Sequence, residues 1–187
     1  MDAARQHEEH IARLVITLPR KTLLVLCGPS GSGKSTVARS FIDIYKEQGL
    51  RETTIVSSDY CRALICDDEN NQLINRPTFE LFYSILDMRL FQGVFTIADS
   101  TALLKNTRLQ LLALARRHAY HTCILVFNTS LKTCIQRDRM RLRSVGEQVV
   151  RYHNGQMLQS LQAIPHEGWN QFYLVEERER IQLNFTA

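Results

Sequence analysis

A short apolar segment runs directly into a glycine-rich loop near the start of the chain. Thr22–Cys27 (TLLVLC) has the length and composition of a strand that is buried on both faces of a sheet. The sequence GPSGSGKST at 28–36 follows it and contains the pattern G-x-x-x-x-G-K-[ST]. A helix is predicted over 35–48, where apolar residues recur at helical spacing before Gly49. A strand before the loop and a helix after it are the context that this pattern requires.

The loop has the composition of a site for the phosphates of a nucleoside triphosphate. Its glycines let several backbone N–H groups point at one anion, and the following helix adds its positive end. Lys34 is expected to reach the β- and γ-phosphates, and the Ser35 hydroxyl is expected to bind Mg²⁺. The pattern therefore predicts ATP, or another NTP, and Mg²⁺ as cofactors. The predicted nucleotide-binding residues of the loop and the first helical turn are Ser30, Gly31, Ser32, Gly33, Lys34, Ser35 and Thr36.

Strand-like and helix-like segments continue to alternate along the chain. Further strands are predicted at 53–57, 94–98, 122–128 and 172–175, and further helices at 79–91, 103–118, 131–143 and 147–163. Alternation of this kind predicts an open parallel sheet that binds its ligands at the carboxyl ends of the strands. The predicted fold class is α/β: a P-loop NTPase of the adenylate-kinase-like type, with a parallel five-stranded sheet flanked by helices and a helical lid.

Composition and length set the remaining limits on the fold. The 187 residues, 44% hydrophobic and 22% charged, predict a single domain over 1–187, with an N-terminal extension at 1–20 and a lid at about 131–163. A short helix is predicted over 3–15 and ended by Pro19. The five cysteines are odd in number and lack zinc-site spacing, which predicts reduced thiols. With no long apolar run and a polar N-terminus, we expect a cytoplasmic protein without membrane contact.

A second motif, SSDYCRALICDDEN at 57–70, follows the second predicted strand. Phosphoryl transfer needs a group that orients the attacking hydroxyl in line with the γ-phosphate, and Asp59 stands at a suitable strand end. Arg62 lies three residues later, on the same face of a helix that begins at Asp59. From position alone, Asp59 is equally a helix cap that pairs with Arg62. The acid run at 67–69 lacks the spacing of a calcium loop.

Two later segments supply further candidates. Asp99 ends the third predicted strand, where it is expected to hold a Mg²⁺-bound water or to orient Ser35, unless it only caps the next helix. In QRDRMRLR at 136–143, arginines at every second position form two opposed pairs on a helix. Only one pair can cover a nucleotide, where its guanidinium groups suit the transferring phosphate. The alternatives are a solvated basic face and an ion pair between Arg141 and Asp138.

Four aromatic residues near the second motif are candidates for stacking on a nucleic-acid base, as in single-strand binders. Their helical spacing makes packing in the core the favoured interpretation. They are Tyr60, Phe79, Phe82 and Tyr83.

Together, GPSGSGKST, SSDYCR, DDEN, ADST and the lid arginines resemble the kinase module of bacterial polynucleotide kinase-phosphatases and, more loosely, the phage polynucleotide 5′-kinases. The resemblance covers about 24–175. It implies that Asp59 deprotonates a 5′-hydroxyl and that Arg62 holds the 3′-side phosphate of the acceptor. It also implies that the lid arginines are Arg137 and Arg141, which would contact ATP. The sequence differs from the family at Ala102, where members often carry Asn.

The resemblance implies a polynucleotide 5′-hydroxyl kinase that phosphorylates 5′-OH ends of DNA or RNA in end healing or repair. The implied catalytic residues are Lys34, Asp59, Arg62, Arg137 and Arg141, and the implied metal ligands are Ser35 and Asp99. The net charge of +4 suits a polyanionic partner without requiring one. No phosphatase motif D-x-D-x-T is present, so healing by this chain would be kinase-only, and a separate phosphatase or ligase partner and a homodimer stay open. Two alternatives remain, a kinase for a sugar, nucleoside or antibiotic and a non-catalytic NTP-binding switch.

Overall fold

A computed structural model describes residues 13–141, 144–177 and 179–186. The strands are β1 (Arg13–Pro19), β2 (Thr22–Cys27), β3 (Ile55–Ser57), β4 (Thr96–Asp99), β5 (His121–Phe127), β6 (Gln171–Val175) and β7 (Arg180–Thr186). The helices are α1 (Lys34–Tyr45), α2 (Ser58–Cys66), α3 (Asn75–Phe91), α4 (Lys105–Arg117), α5 (Leu131–Arg139) and α6 (Glu147–Ala163). In the described part of the chain, no helix has the length and apolar character to cross a bilayer.

The central sheet has five parallel strands in the order β3-β4-β2-β5-β6. Every residue of β2 is buried because helices cover both faces of the sheet. Leu23 and Val25 of β2 pack in a core with α3, α4 and α6, whereas Leu24 and Leu26 pack in a second core with α1. The predicted fold class, an α/β parallel five-stranded sheet flanked by helices, is confirmed.

The predicted strands of the central sheet are all present, with ends that differ by one or two residues. Larger differences occur at helix ends. The helix predicted over 79–91 begins four residues earlier, at Asn75, and the helix predicted over 131–143 ends at Arg139. The chain turns back after α5 because the Asp138 carboxylate accepts hydrogen bonds from the Ser144 hydroxyl and from the backbone N–H groups of Val145 and Gly146.

The N-terminal helix prediction is wrong for residues 13–15, and residues 3–12 lie outside the described residues. Residues 13–15 belong to β1, which pairs in parallel with β7 as a separate two-stranded sheet. Apolar residues alternate along β1, so that Ile16 and Leu18 are buried against the α1 core while Val15 stays half exposed. The strand partner lies at the other end of the chain, so local spacing did not reveal the pairing.

A buried ionic network attaches α6 to the loop that follows β4. The Arg108 guanidinium of α4 makes a fork of hydrogen bonds to Glu167, at 2.7 to 3.1 Å, and both side chains are at most 2% exposed. Arg108 also donates to the carbonyls of Ala102 and Leu103 and to the Ser160 hydroxyl of α6. Burial works to raise the pKa of Glu167, but hydrogen bonds from Arg108 and Trp169 hold it below its ordinary value. Glu167 is therefore a buried carboxylate ion.

Replacing Arg108 by Met should lower the free energy of unfolding by about 3 to 5 kcal/mol, because Glu167 would be left buried without its cation. The matched control is Arg76→Met, which removes an ion pair with Glu80 from a side chain that is 91% exposed. We expect the control to change stability by less than about 1 kcal/mol. Chemical denaturation of both variants measures the difference. An equally small loss at Arg108 would contradict a buried ionic network.

Candidate active site

The segment at 28–35, here called the phosphate loop, consists of the glycine-rich turn after β2 and the first two residues of α1, at the carboxyl edge of the sheet. Gly31 and Gly33 have φ angles of 83° and 100°, in the left-handed region that glycine adopts without strain. Gly31 also lies directly against the backbone of Cys134 in α5, where a Cβ atom would collide with the Cys134 carbonyl. The loop can therefore fold so tightly only because these two positions lack side chains.

Lys34 is buried within the phosphate loop. Its Nζ donates hydrogen bonds to the carbonyl oxygens of Gly28 at 2.9 Å and Pro29 at 2.7 Å. Burial lowers the pKa of Lys34, and the nearby negative charge of Asp99 opposes that effect. The ammonium group thus stands inside the loop, bonded to its carbonyl oxygens.

Asp99, the last residue of β4, lies beside the first turn of α1. Its register partners are Leu26 of β2 and Ser57 of β3, so three strand ends meet at this carboxylate. Burial raises the pKa of Asp99, whereas the charge of Lys34 and a hydrogen bond from Ser35 lower it. Asp99 does not cap a helix, because α4 begins six residues later with Leu104 at its N-cap.

Ser35 and Asp99 together fit the donor set that Mg²⁺ prefers. They offer a hydroxyl and a carboxylate oxygen, and Mg²⁺ in nucleotide sites takes one or two protein ligands and completes its shell with phosphate and water oxygens. Among the described residues, no cluster of three or more His, Cys, Asp or Glu side chains could hold a metal by itself. A metal here would accordingly depend on a bound nucleotide.

Asp59 and Arg62 form an ion pair in α2, but their surroundings differ. Arg62 Nη1 donates to Asp59 Oδ1 at 2.9 Å, and the Asp59 side chain is 69% exposed whereas that of Arg62 is 4% exposed. The same guanidinium donates to the Glu69 carbonyl at 3.0 Å and to Asn75 Oδ1 at 2.9 Å. The N-cap of α2 is Ser57, whose hydroxyl accepts from the Tyr60 N–H. Asp59 is therefore no helix cap.

Asp59 lies at the same carboxyl edge of the sheet as the phosphate loop, because α2 begins directly after Ser57, which is in register with Asp99. Its negative charge opposes the lowering of the Lys34 pKa and contributes to raising the Asp99 pKa. Arg62 lies behind it, inside the protein. The structure thus places Asp59 at the edge of the sheet that carries the phosphate loop, with the buried Arg62 as its support.

The acid run that follows α2 shapes the chain locally. Asp67 adopts a left-handed conformation, with φ 58°, at the C-cap of the helix. Asp68 Oδ1 accepts from the Asn70 N–H, and the Glu69 carbonyl accepts from Arg62. These contacts attach the run to α2.

Arg137 and Arg139 make contacts on different sides of α5, as their spacing predicts, whereas Arg141 follows the end of this helix. Arg137 Nη1 lies 3.5 Å from the carbonyl oxygens of both Gly31 and Ser32, over the phosphate loop. Arg139 points elsewhere and pairs with Glu147 at 2.6 Å. Burial is the main cause that lowers the pKa of Lys34, and the charge of Arg141 adds to it. The Arg141 side chain makes no ion pair with Asp138 among the described contacts, and Arg143 lies outside the described residues.

His153 of α6 is a site residue that sequence reasoning missed. Its Nδ1 lies 3.2 Å from the Ser30 hydroxyl and 3.4 Å from the Ser30 backbone nitrogen. Burial and the charge of Lys34 lower the pKa of His153 to about 4. No motif surrounds this residue, and its signal was weak: it is the one histidine within the predicted lid at 131–163.

The aromatic residues near the site divide into two groups. Phe79, Phe82 and Tyr83 contact one another, with ring centroids 5.5 to 6.1 Å apart, and pack in or against the core, as predicted. Tyr60, next to Asp59, is 63% exposed, so the prediction of core packing is wrong there. The first turn of α2 directs it outward because its neighbour Cys61 takes the buried position.

The family model of the AAA domain matches residues 23–164, about three quarters of the chain. The chain belongs to this AAA-domain family. The matched range begins in β2 and ends just after α6, and so contains every site residue described above. A search of curated proteins finds no match.

Solved structures of P-loop kinases share the fold. A protein of Chloroflexus aurantiacus J-10-fl, provisionally named a kinase, is similar with a TM-score of 0.59 and 12% identity, over 84% of this chain and 88% of that one. Kti12 of Chaetomium thermophilum in complex with ADP-AlF3 is similar with a TM-score of 0.55 and 16% identity, over 83% and 89%. A gluconokinase of Sinorhizobium meliloti 1021 is similar with a TM-score of 0.51 and 15% identity, over 84% and 83%. The AAA-domain chain therefore has a P-loop kinase-like fold.

Replacing Gly31 by Ala should be much more damaging than replacing Gly49, although both have positive φ angles. Gly49→Ala meets open space and should cost about 1 to 2 kcal/mol of stability from backbone strain alone. Gly31→Ala should cost about 1 to 3 kcal/mol more, because its Cβ would push α5 away from the loop. Denaturation curves of the two variants test this, and equal losses would mean that the contact with Cys134 relaxes freely.

Proposed function

We propose that this chain is a polynucleotide 5′-hydroxyl kinase, which transfers the γ-phosphate of ATP or another NTP to 5′-OH ends of DNA or RNA. The observation that carries the proposal is the placement of Asp59, an exposed carboxylate that is held by a buried arginine in a helix beginning at the same sheet edge as the phosphate loop. The polynucleotide as acceptor rests on the resemblance of SSDYCR and DDEN to the kinase module of polynucleotide kinase-phosphatases. An adjoining role in end repair, with a separate phosphatase or ligase, is a prediction of the same resemblance.

The donor side would be held by the phosphate loop and the lid. Backbone N–H groups of the loop and the positive end of α1 bind phosphate oxygens, and Lys34 Nζ exchanges the loop carbonyls for the β- and γ-phosphates. Arg137 and Arg141 approach the γ-phosphate from the lid and stabilise the charge that spreads over its oxygens. Mg²⁺, held by Ser35 and Asp99, would neutralise phosphate charge when bound.

The acceptor hydroxyl would lie between Asp59 and the γ-phosphate. Its oxygen forms a bond to the γ-phosphorus as the bond from that phosphorus to the β,γ-bridging oxygen breaks, and the nucleoside diphosphate leaves. The hydroxyl proton passes to Asp59. The ion pair with Arg62 fixes the orientation of the carboxylate.

Arg62 supports Asp59 in this arrangement. Its guanidinium is held in place by hydrogen bonds to the Glu69 carbonyl and to Asn75, and it in turn donates to the Asp59 carboxylate. A direct contact of Arg62 with the 3′-side phosphate of the acceptor, which the resemblance implies, stays a prediction and would require α2 to open. The exposed ring of Tyr60 beside Asp59 offers a nucleobase a stacking surface without such a movement.

A small-molecule kinase is the second candidate. The buried position of Arg62 favours it, because an acceptor without a neighbouring phosphate needs no exposed cation beside Asp59. The gluconokinase among the structural neighbours shows that this fold accommodates a sugar-acid acceptor in another chain. An NTP-binding switch without an acceptor is the third candidate. The exposed carboxylate of Asp59 would have no role in such a switch.

Incubation with γ-labelled ATP and Mg²⁺ separates the three candidates. The acceptors are a 5′-OH oligodeoxynucleotide, the matching oligoribonucleotide, the same oligonucleotides with 5′-phosphate ends, nucleosides and gluconate. Label on the 5′-OH oligonucleotides alone supports the proposal. Label on a nucleoside or on gluconate supports the second candidate, and binding of ATP without any transfer supports the third.

Asp59→Asn should reduce transfer to a 5′-OH oligonucleotide by about a hundredfold to ten-thousandfold, because the amide cannot take the hydroxyl proton. The amide oxygen can still accept the hydrogen bond from Arg62, so folding and NTP binding should stay close to wild type. Steady-state kinetics and equilibrium binding of a fluorescent ATP analogue measure the two effects. The control is Asp43→Asn, an exposed carboxylate on α1. Equal loss of NTP binding and of transfer at Asp59 would move this residue to the donor site.

The lid arginines allow a comparison within one helix. Arg137→Ala should lower kcat by about a hundredfold or more, because it removes a guanidinium that stabilises the transferring phosphate. Arg139→Ala removes the same chemical group from the opposite face, where it pairs with the partly exposed Glu147, and should leave kcat within about twofold of wild type. Similar losses of kcat in both variants would indicate that the lid acts through general electrostatics.

A further inference from the structure

His153 of α6 contacts Ser30 of the phosphate loop. Neither the loop pattern nor the resemblance assigns this histidine a role. Nδ1 accepts the Ser30 N–H at 3.4 Å and lies 3.2 Å from the Ser30 hydroxyl. A backbone N–H only donates, so Nδ1 must carry no proton in this contact. The ring proton is then on Nε2, and the imidazole is neutral.

The ring lies among charged groups of three other elements. Lys34 of α1 disfavours a second proton on the imidazole, while Asp59 of α2 and Asp138 of α5 favour it. Burial and Lys34 prevail, so the neutral form is the stable one in this position. The contact therefore persists at neutral pH.

The rest of α6 shows what this contact holds. The C-terminal part of the helix is fixed through Ser160, which donates to the Leu103 carbonyl at 2.8 Å and accepts from Arg108. The N-terminal end joins α5 through the turn that the Asp138 carboxylate closes with hydrogen bonds from Ser144, Val145 and Gly146. Between these two ends, His153 is the polar contact that α6 makes with the phosphate loop among the described residues. This contact joins the phosphate loop to α6, the helix that follows the lid arginines in the chain.

We propose that His153 is a positioning residue for phosphoryl transfer, which holds the lid at 131–163 on the phosphate loop by accepting the Ser30 N–H through Nδ1. The proposal rests on the proposed function, because the lid must stand over a transferring phosphate for its position to matter. The contact keeps α6 and, through the turn closed by Asp138, α5 in the arrangement that places Arg137 above Gly31 and Ser32. His153 then acts on the rate through the lid arginines and touches neither reactant.

Three substitutions distinguish the effect of the hydrogen-bond acceptor at Nδ1 from the effect of the rest of the imidazole ring. In His153→Asn, the amide oxygen stands close to the position of Nδ1 and can still accept the Ser30 N–H. In His153→Gln, the longer side chain places its polar end nearer to the position of Nε2. His153→Ala removes both. All three variants are compared with wild type by kinetics, by NTP binding and by hydrogen exchange of peptides within 145–163 at neutral pH without substrates.

With an oligonucleotide acceptor, kcat should fall about fivefold to tenfold in His153→Ala and His153→Gln, which is the effect of one lost hydrogen bond. The affinity for NTP should change by less than about twofold, because the loop amides and Lys34 remain. Exchange within 145–163 should rise in the same two variants, and His153→Asn should resemble wild type in every measurement. Wild-type exchange and kcat in His153→Ala, recovery by Gln but not by Asn, or tighter NTP binding in His153→Ala would each overturn the proposal. If the chain transfers phosphate to no acceptor, the exchange data still decide whether the contact holds the lid.

The pH dependence of the same exchange gives an independent readout. The pKa of His153 is about 4 with the lid in place, against an ordinary value of 6.5, so the contact contributes fully above the ordinary value and is lost as the pH falls toward the lower one. After correction for intrinsic exchange, protection of 145–163 should decrease over this range in wild type and stay level in His153→Asn. A parallel decrease in both proteins would assign the effect to Asp59 or Asp138 and would contradict the role of His153.

Discussion

The parallel pairing of β4 with both β2 and β3 is the constraint from which the arrangement of the site follows. Because the pairing aligns Asp99 with Leu26 on one side and with Ser57 on the other, the loop after β2 and the helix after β3 must begin at the same edge. Asp99 itself is buried at that edge, where burial raises its pKa and the charge of Lys34 and the hydrogen bond from Ser35 offset part of the cost. Two loops that are distant in the chain thereby meet around one buried carboxylate.

The lid is attached to this edge by contacts of different strength. The Gly31–Cys134 contact is steric and allows no side chain, whereas Arg137 lies only at the outer limit of hydrogen-bonding distance from the loop carbonyls. The Asp138 carboxylate closes the turn between α5 and α6 with three hydrogen bonds. A rigid base with a weakly bonded guanidinium suits a group that must leave protein oxygens and approach a phosphate.

The burial of Arg62 changes how its pair with Asp59 is understood. An arginine that anchors a substrate phosphate is ordinarily accessible, but this one is enclosed and its Nε has no partner among the described contacts. A buried guanidinium with three fixed acceptors is costly to move, so it orients Asp59 firmly. Under the proposed function, the exposed Asp59 and Tyr60 are what α2 would present to an acceptor, and this surface suits both a nucleic-acid end and a smaller hydroxyl compound.

The amino-acid sequence by itself determined the strand–loop–helix unit at 22–48, the five parallel strands and the candidates Lys34, Asp59 and Asp99, because these depend on local patterns: apolar runs, glycines and residues at strand ends. The opposed faces of Arg137 and Arg139 followed from helix periodicity alone. Only the tertiary structure decided that residues 13–15 pair with β7, that Arg62 is buried while Tyr60 is exposed, and that His153 lies on Ser30. Each of these depends on segments far apart in the chain, and neither spacing nor residue type encodes which distant backbone or charge will be the neighbour.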